Sequence, residues 1–202
     1  MKNTPKIILC TLISLFGIYS QAQQTAHAVI QSCSDPDLVI GEAMLEEQDS
    51  EEGIKVVNVR LSIDKPHLTS GKHAVHIHEN AVCEPCGDAK GHFDPGPMSN
   101  SSPDGNHPFH SGDLINIEIN DEGIGEMSTS TTRVTLSPGP LSLFDENGSA
   151  FIVHVDPDTY CPEGEAAGCA GGARAACGII QPGMPTENQE QNSSSRETSS
   201  DD

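Results

Sequence analysis

An all-β domain is what this sequence predicts: a Greek-key β-sandwich or flattened barrel of about eight strands with two long functional loops. Three observations lead there. No segment between the chain ends has convincing helical periodicity, and short runs of alternating or β-branched residues recur with turn residues between them. Two stretches, 80–112 and 156–176, are too rich in Gly, Pro, Ser, Ala and Cys for strands, and connections of that length tend to be functional.

The expected strands cover 26–32, 38–46, 54–63, 74–79, 114–120, 125–131, 150–155 and 178–180. Asp121-Glu122-Gly123 and Glu146-Asn147-Gly148 supply turns between them, because Gly and Asn tolerate the left-handed backbone a tight reversal needs. The domain expected from these elements spans residues 23–180 of the 202.

The chain ends differ from the middle. Lys2 and Lys6 precede an apolar run from Ile7 to Tyr19, followed by Ser20 and Ala22, the layout of a secretory signal peptide over 1–22. That run is too short to span about 30 Å of hydrocarbon, so no membrane anchor is expected in the mature form. Beyond Ile180 the sequence is polar and acidic, and 181–202 is expected to be a disordered tail. Export to a periplasmic or extracellular space makes disulfides the expected state of Cys33, Cys83, Cys86, Cys161, Cys169 and Cys177, although spacing does not identify the pairs.

Removing the leader takes the formal charge from −20 to −22. Nucleic acid is thereby excluded as a partner, and an anionic substrate would need a local cationic feature within a Debye length of about 8 Å. The oligomeric state is not legible, a homodimer being one option.

The chemistry lies in the histidines. In Val75-His76-Ile77-His78-Glu79, strand alternation sends Val75 and Ile77 to one face and both imidazoles to the other, where they can converge on one metal. In Phe151-Ile152-Val153-His154-Val155, the same alternation puts Phe151, Val153 and Val155 on an apolar face and His154 opposite. Gly91-His92-Phe93-Asp94-Pro95 and His107-Pro108-Phe109-His110-Ser111-Gly112-Asp113 add three histidines and a carboxylate from one loop, out of nine histidines in the chain. Imidazoles with one carboxylate suit zinc, and an all-imidazole set also suits copper.

These segments, together with Gly172-Ala173-Arg174-Ala175-Ala176-Cys177-Gly178-Ile179-Ile180, occur in the order in which they resemble the signatures of copper/zinc superoxide dismutases, from about His27 to Ile180. The resemblance implies copper held by His76, His78, His92 and His154. It implies zinc held by His92 as a shared imidazolate, His110, Asp113 and one further histidine. It also implies a Cys86–Cys177 disulfide, Asp158 as the carboxylate linking the two ligand sets, and Arg174 as the group that positions superoxide beside copper. His92 and Arg174 are then the catalytic residues, superoxide the substrate and copper and zinc the cofactors.

One departure stands out: 97–101, where the family's remaining zinc histidine usually falls, contains none. His107 is the nearest substitute, and a copper-only variant is the alternative. A second class of function is a copper-binding module that buffers or delivers the metal without dismutase activity. The acidic surface favours that module mildly and Arg174 argues against it.

Overall fold

The computed structural model describes residues 24–96 and 102–184. The expected leader, the stretch 97–101 and the tail beyond Met184 lie outside the described residues.

Strands β1 (Gln24–Ser32), β2 (Val39–Asp49) and β3 (Lys55–Ile63) form an antiparallel meander. Their alternation is the reason they pair face-on to a core: Ala26, Ala28 and Ile30, then Ala43 and Leu45, then Val57, Val59, Leu61 and Ile63 are all buried. Next come β4 (Gly71–His73), β5 (Val75–His78), β6 (Ile117–Ile119) and β7 (Gly125–Thr131). The chain closes with β8 (Ala150–His154), β9 (Arg174–Ile179) and β10 (Gln181–Pro182).

The hydrogen-bonded order is β4-β6-β7-β3-β2-β1-β9-β8-β5, with β10 added beside β1. The two ends of that order, β4 and β5, are consecutive in sequence and separated only by the buried Ala74. Ala74 also joins the far side, donating its N–H to Asp156 at 3.0 Å and accepting that of His154 at 2.9 Å. The sheet therefore curls into a nearly closed antiparallel barrel of nine strands, as the sequence pattern predicts in class.

Four details differ from the sequence expectation. Strand β4 was not anticipated, its three residues being too few for a periodic signal. Strand β9 begins at Arg174 rather than residue 178: Ala176 and Cys177 lack the branched signature yet pair with β8, and Ala175 is skipped in the register. The segment after Ile180 opens with β10, and Gly183 donates to the Thr25 carbonyl at 2.8 Å, so the expected tail is ordered over its first residues. Val155 is exposed rather than in the core, because β8 ends at His154, one residue before it.

Outside the barrel a second small apolar cluster joins Cys86, Ala89, Ala150, Ile152 and Cys177, with Cys33 and Cys83 packed on it. Among the described residues no helix is long and apolar enough to cross a membrane; the only helical element there is the 3₁₀ turn Cys86–Ala89.

Candidate metal centre

The pleat of β5 buries Val75 and Ile77 in the barrel and turns His76 and His78 outward beneath two short segments, 91–93 and 110–113. Both lie directly on β5. Phe93 donates to the Ile77 carbonyl at 2.9 Å, Gly112 to Phe93 at 2.8 Å, and Ile77 to Gly112 at 2.9 Å. Gly112 is required: a Cβ there would sit 2.2 Å from the Ile77 carbonyl oxygen. Because Phe93 inserts into the core, His92 points the other way, towards His78 and His76.

The ligand atoms of His76, His78, His92 and His154, all buried, lie within 4.8 Å of one another. Protein acceptors occupy the outer ring nitrogens. His78 Nδ1 donates to the Lys90 carbonyl at 2.9 Å, His154 Nδ1 to the Gly172 carbonyl at 3.0 Å, and His76 Nε2 to Asp158 Oδ2 at 3.0 Å. These bonds select the tautomers that leave lone pairs on His76 Nδ1, His78 Nε2 and His154 Nε2. His76 Nδ1 and His154 Nε2 are 3.2 Å apart, and His78 Nε2 and His92 Nε2 are buried without any hydrogen-bond partner. Burying such atoms is costly unless something binds them, and a cation held by imidazole fits this donor set.

Burial also sets their charge. It pushes His78 well below its ordinary range, His92 down to about 4 despite the Asp113 hydrogen bond, and His154 down to about 3 with help from the neighbouring His76. All three are neutral at pH 7, the state that ligates a metal.

A second donor group adjoins the first. Asp113 Oδ1 lies 2.6 Å from His92 Nδ1, and Asp113 Oδ2 lies 3.0 Å from His110 Nδ1 and 3.2 Å from His107 Nδ1. His92 thus has one nitrogen in each group. The ligand atoms that lie within 4.8 Å of one another here are those of His76, His92, His107 and Asp113, with His110 attached through Asp113; the two nitrogens of His76 already face the first group and Asp158. His107, the substitute expected from sequence, is brought in, and its Nε2 reaches Asp158 at 2.7 Å.

Burial alone would raise Asp113, yet the adjacent imidazole of His107 and hydrogen bonds from His110 and His92 hold it well below the usual carboxylate range. Asp158 is held low in the same way by His107 and His76. For His107 the two carboxylates outweigh burial and raise its pKa to about 9. The pair therefore stabilises positive charge where the histidines meet, the property a dication position needs.

Arg174 sits opposite His154 in the β8–β9 register, and its guanidinium donates to the carbonyls of Cys86 and Lys90. Burial lowers its pKa, but a guanidinium remains charged in proteins. Its positive charge reaches the first donor group, where it helps to hold His78 and His154 low.

The cysteines form three bridges, Cys33–Cys86, Cys83–Cys177 and Cys161–Cys169. The expected Cys86–Cys177 pairing is thus corrected. Ser32 pairs with Ala176 and Cys33 donates to the Ala175 carbonyl, which carries Cys33 into the same cluster as the other three. Chain order cannot choose among four sulfurs packed together.

Sequence reasoning missed three supporting residues. His73 is buried and bonds the His154 carbonyl through Nδ1 and the Thr69 carbonyl through Nε2, both at 2.8 Å. Its position three residues before His76 was the available signal. Asn116 clamps the backbone of Asp158, accepting its N–H at 2.7 Å and donating to its carbonyl at 3.0 Å. Lys90 acts through its carbonyl, which no sequence pattern marks.

Two adjacent buried donor groups sharing one imidazole, mounted on a nearly closed antiparallel barrel, define a protein built around a candidate two-metal centre. The family model for copper/zinc superoxide dismutase (SODC) matches residues 39–180, and the chain belongs to that family. A Cu-Zn superoxide dismutase from Deinococcus radiodurans is 35% identical over 139 residues, 62% of this chain and 71% of that protein. Superoxide dismutase Cu-Zn 2 from Aquifex aeolicus is 34% identical over 187 residues, 90% of this chain and 100% of that protein. Among solved structures, a double mutant of a SOD-like protein from Bacillus subtilis matches with a TM-score of 0.55 at 28% identity, covering 76% of this chain and 95% of that one. Copper and zinc are the cofactors of the family to which the two histidine groups belong.

Proposed function

We propose that the chain is an exported superoxide dismutase in which His76, His78, His92 and His154 hold copper and His92, His107, His110 and Asp113 hold zinc. The observation that carries this reading is His92, whose Nδ1 faces Asp113 at 2.6 Å while its buried Nε2 faces the all-histidine group without a protein partner. Bound copper supplies a one-electron couple between Cu(II) and Cu(I), by which two superoxide ions and two protons become dioxygen and hydrogen peroxide.

The residues supply the rest. Arg174 draws the anion towards His154 against the repulsion of an acidic chain. His92 holds and releases a proton at Nε2, its neutral state favoured by burial. Asp158 ties His76 to His107, so the two donor groups keep a common orientation. Export is supported by the leader-like first 22 residues and by three disulfides, which persist in oxidising compartments.

A copper-buffering module is the second reading, favoured by the acidic surface, while Arg174 has no use in simple storage. Metal analysis and a dismutase assay on the mature protein and on His154→Ala separate the two. Activity that disappears with copper in His154→Ala is expected. Full copper loading without dismutation in the unaltered protein would leave the buffering module.

A further inference from the structure

The Cys161–Cys169 bridge closes a small ring, eight residues apart in sequence, that the proposed chemistry does not use. Asp104 lies against it, and the three side chains form a cluster of ligand-type atoms, but both sulfurs are consumed in the disulfide and none is left for a metal. The cluster has another use. We infer that Asp104 and the Cys161–Cys169 ring form a clasp that positions His107 as a donor at the second metal position. This rests on the reading of His107 as a zinc ligand.

The clasp is built from hydrogen bonds. Asp104 Oδ2 accepts the N–H of Gly168 at 3.0 Å and Oδ1 that of Ala170 at 3.3 Å. Ala170 is in turn the bridge partner of Asp158, and Thr159 donates its N–H to the Cys169 carbonyl at 2.9 Å. Asp158 then takes His107 Nε2 at 2.7 Å. Asp104 and His107, three residues apart, thus grip one segment of the second loop at two points and close a circuit through Ala170 and Asp158.

The turn between them is tight. Gly105 donates to Ser102 at 3.0 Å, Asn106 has φ +63, and a Cβ on Gly105 would come within 3.2 Å of Glu165 Oε1 and of Ser102. The ring matters because a short covalent loop limits the conformations in which the Gly168 and Ala170 N–H groups face one carboxylate. A histidine arriving from an unusual place in sequence needs such support, since a ligand free to swing loses affinity for its metal.

The test is a zinc titration of the metal-free mature protein against a competing chelator, paired with the visible spectrum of Co(II) placed in the second position. Asp104→Ala and the double variant Cys161→Ser/Cys169→Ser are expected to bind zinc about 10- to 100-fold more weakly and to alter the cobalt bands. Asp104→Asn, which keeps one acceptor oxygen and the side-chain volume, is expected to fall between. The spectrum of copper in the first position should be unchanged in all three. His107→Ala serves as the reference: if it binds zinc like the unaltered protein, the ligand assignment fails first. If His107→Ala weakens zinc while the Asp104 and ring variants retain normal affinity and cobalt bands, the clasp is refuted.

Discussion

His78 and Arg174 donate to one atom, the carbonyl oxygen of Lys90. An imidazole of the proposed copper group and the guanidinium that would draw the substrate are therefore held by the same peptide group. Lys90 reaches this position with φ +64 and ψ −142, backbone values usually left to glycine. Arg174 also binds the Cys86 carbonyl, so its direction is set at both ends of the 3₁₀ turn.

Replacing Arg174 with Ala should lower kcat/KM for superoxide about tenfold or more with copper and zinc contents unchanged. Arg174→Lys should recover part of the loss, keeping the charge but not the two-pronged attachment. Stopped-flow decay of superoxide measures both, and an unchanged rate for Arg174→Ala would remove the residue from the mechanism.

Asp158→Asn should disturb both metals at once. The amide offers one acceptor oxygen, while His76 and His107 each bring an N–H. Zinc affinity is expected to fall about 10- to 100-fold and the copper EPR spectrum to shift, whereas a zinc defect with an unaltered copper spectrum would show that His76 does not depend on this carboxylate.

The metal-free protein should be most stable near pH 6.5. His92 and His154 titrate near 4 and 3 in the folded state against an ordinary value of 6.5. Below 6.5 the unfolded chain takes up protons that the folded one refuses, so stability falls as pH drops through that window. His107 acts oppositely: raised to about 9, it contributes stability that is complete below 6.5 and lost as pH rises through 9. Thermal unfolding of the apoprotein from pH 4 to 10 tests this; a Tm higher at pH 5 than at 6.5 would contradict it.

Non-reducing peptide mapping should recover Cys33 linked to Cys86 and Cys83 linked to Cys177. Cys33→Ser should cost about 2–4 kcal/mol of stability and loosen the Cys86 carbonyl that Arg174 uses. A recovered Cys86–Cys177 peptide would overturn the assignment.

Alternation made His76 and His78 legible, since any strand carrying Val75 and Ile77 into a core must turn both imidazoles out. The same rule worked for His154 but failed one residue later at Val155, where β8 has ended. Asp113 was legible through the segment His110-Ser111-Gly112-Asp113-Leu114, in which the chain resembles its family, and the closeness of Gly112 to β5 supplies a steric reason for the glycine there. His73 and Asn116 were not, because a single histidine in a three-residue strand and a single amide in a loop leave no period to detect.

By itself the sequence determined the all-β class and the faces on which His76, His78 and His154 stand, because these follow from side-chain alternation, while the meeting of the four histidine segments at a metal centre was implied by their resemblance to the family. Only the tertiary structure decided which sulfurs pair, that His107 reaches Asp113 and Asp158, and that Lys90 lends one carbonyl to two side chains. Those are contacts between segments far apart in the chain, and the geometry that selects among them exists only once β4 and β5 have closed the barrel.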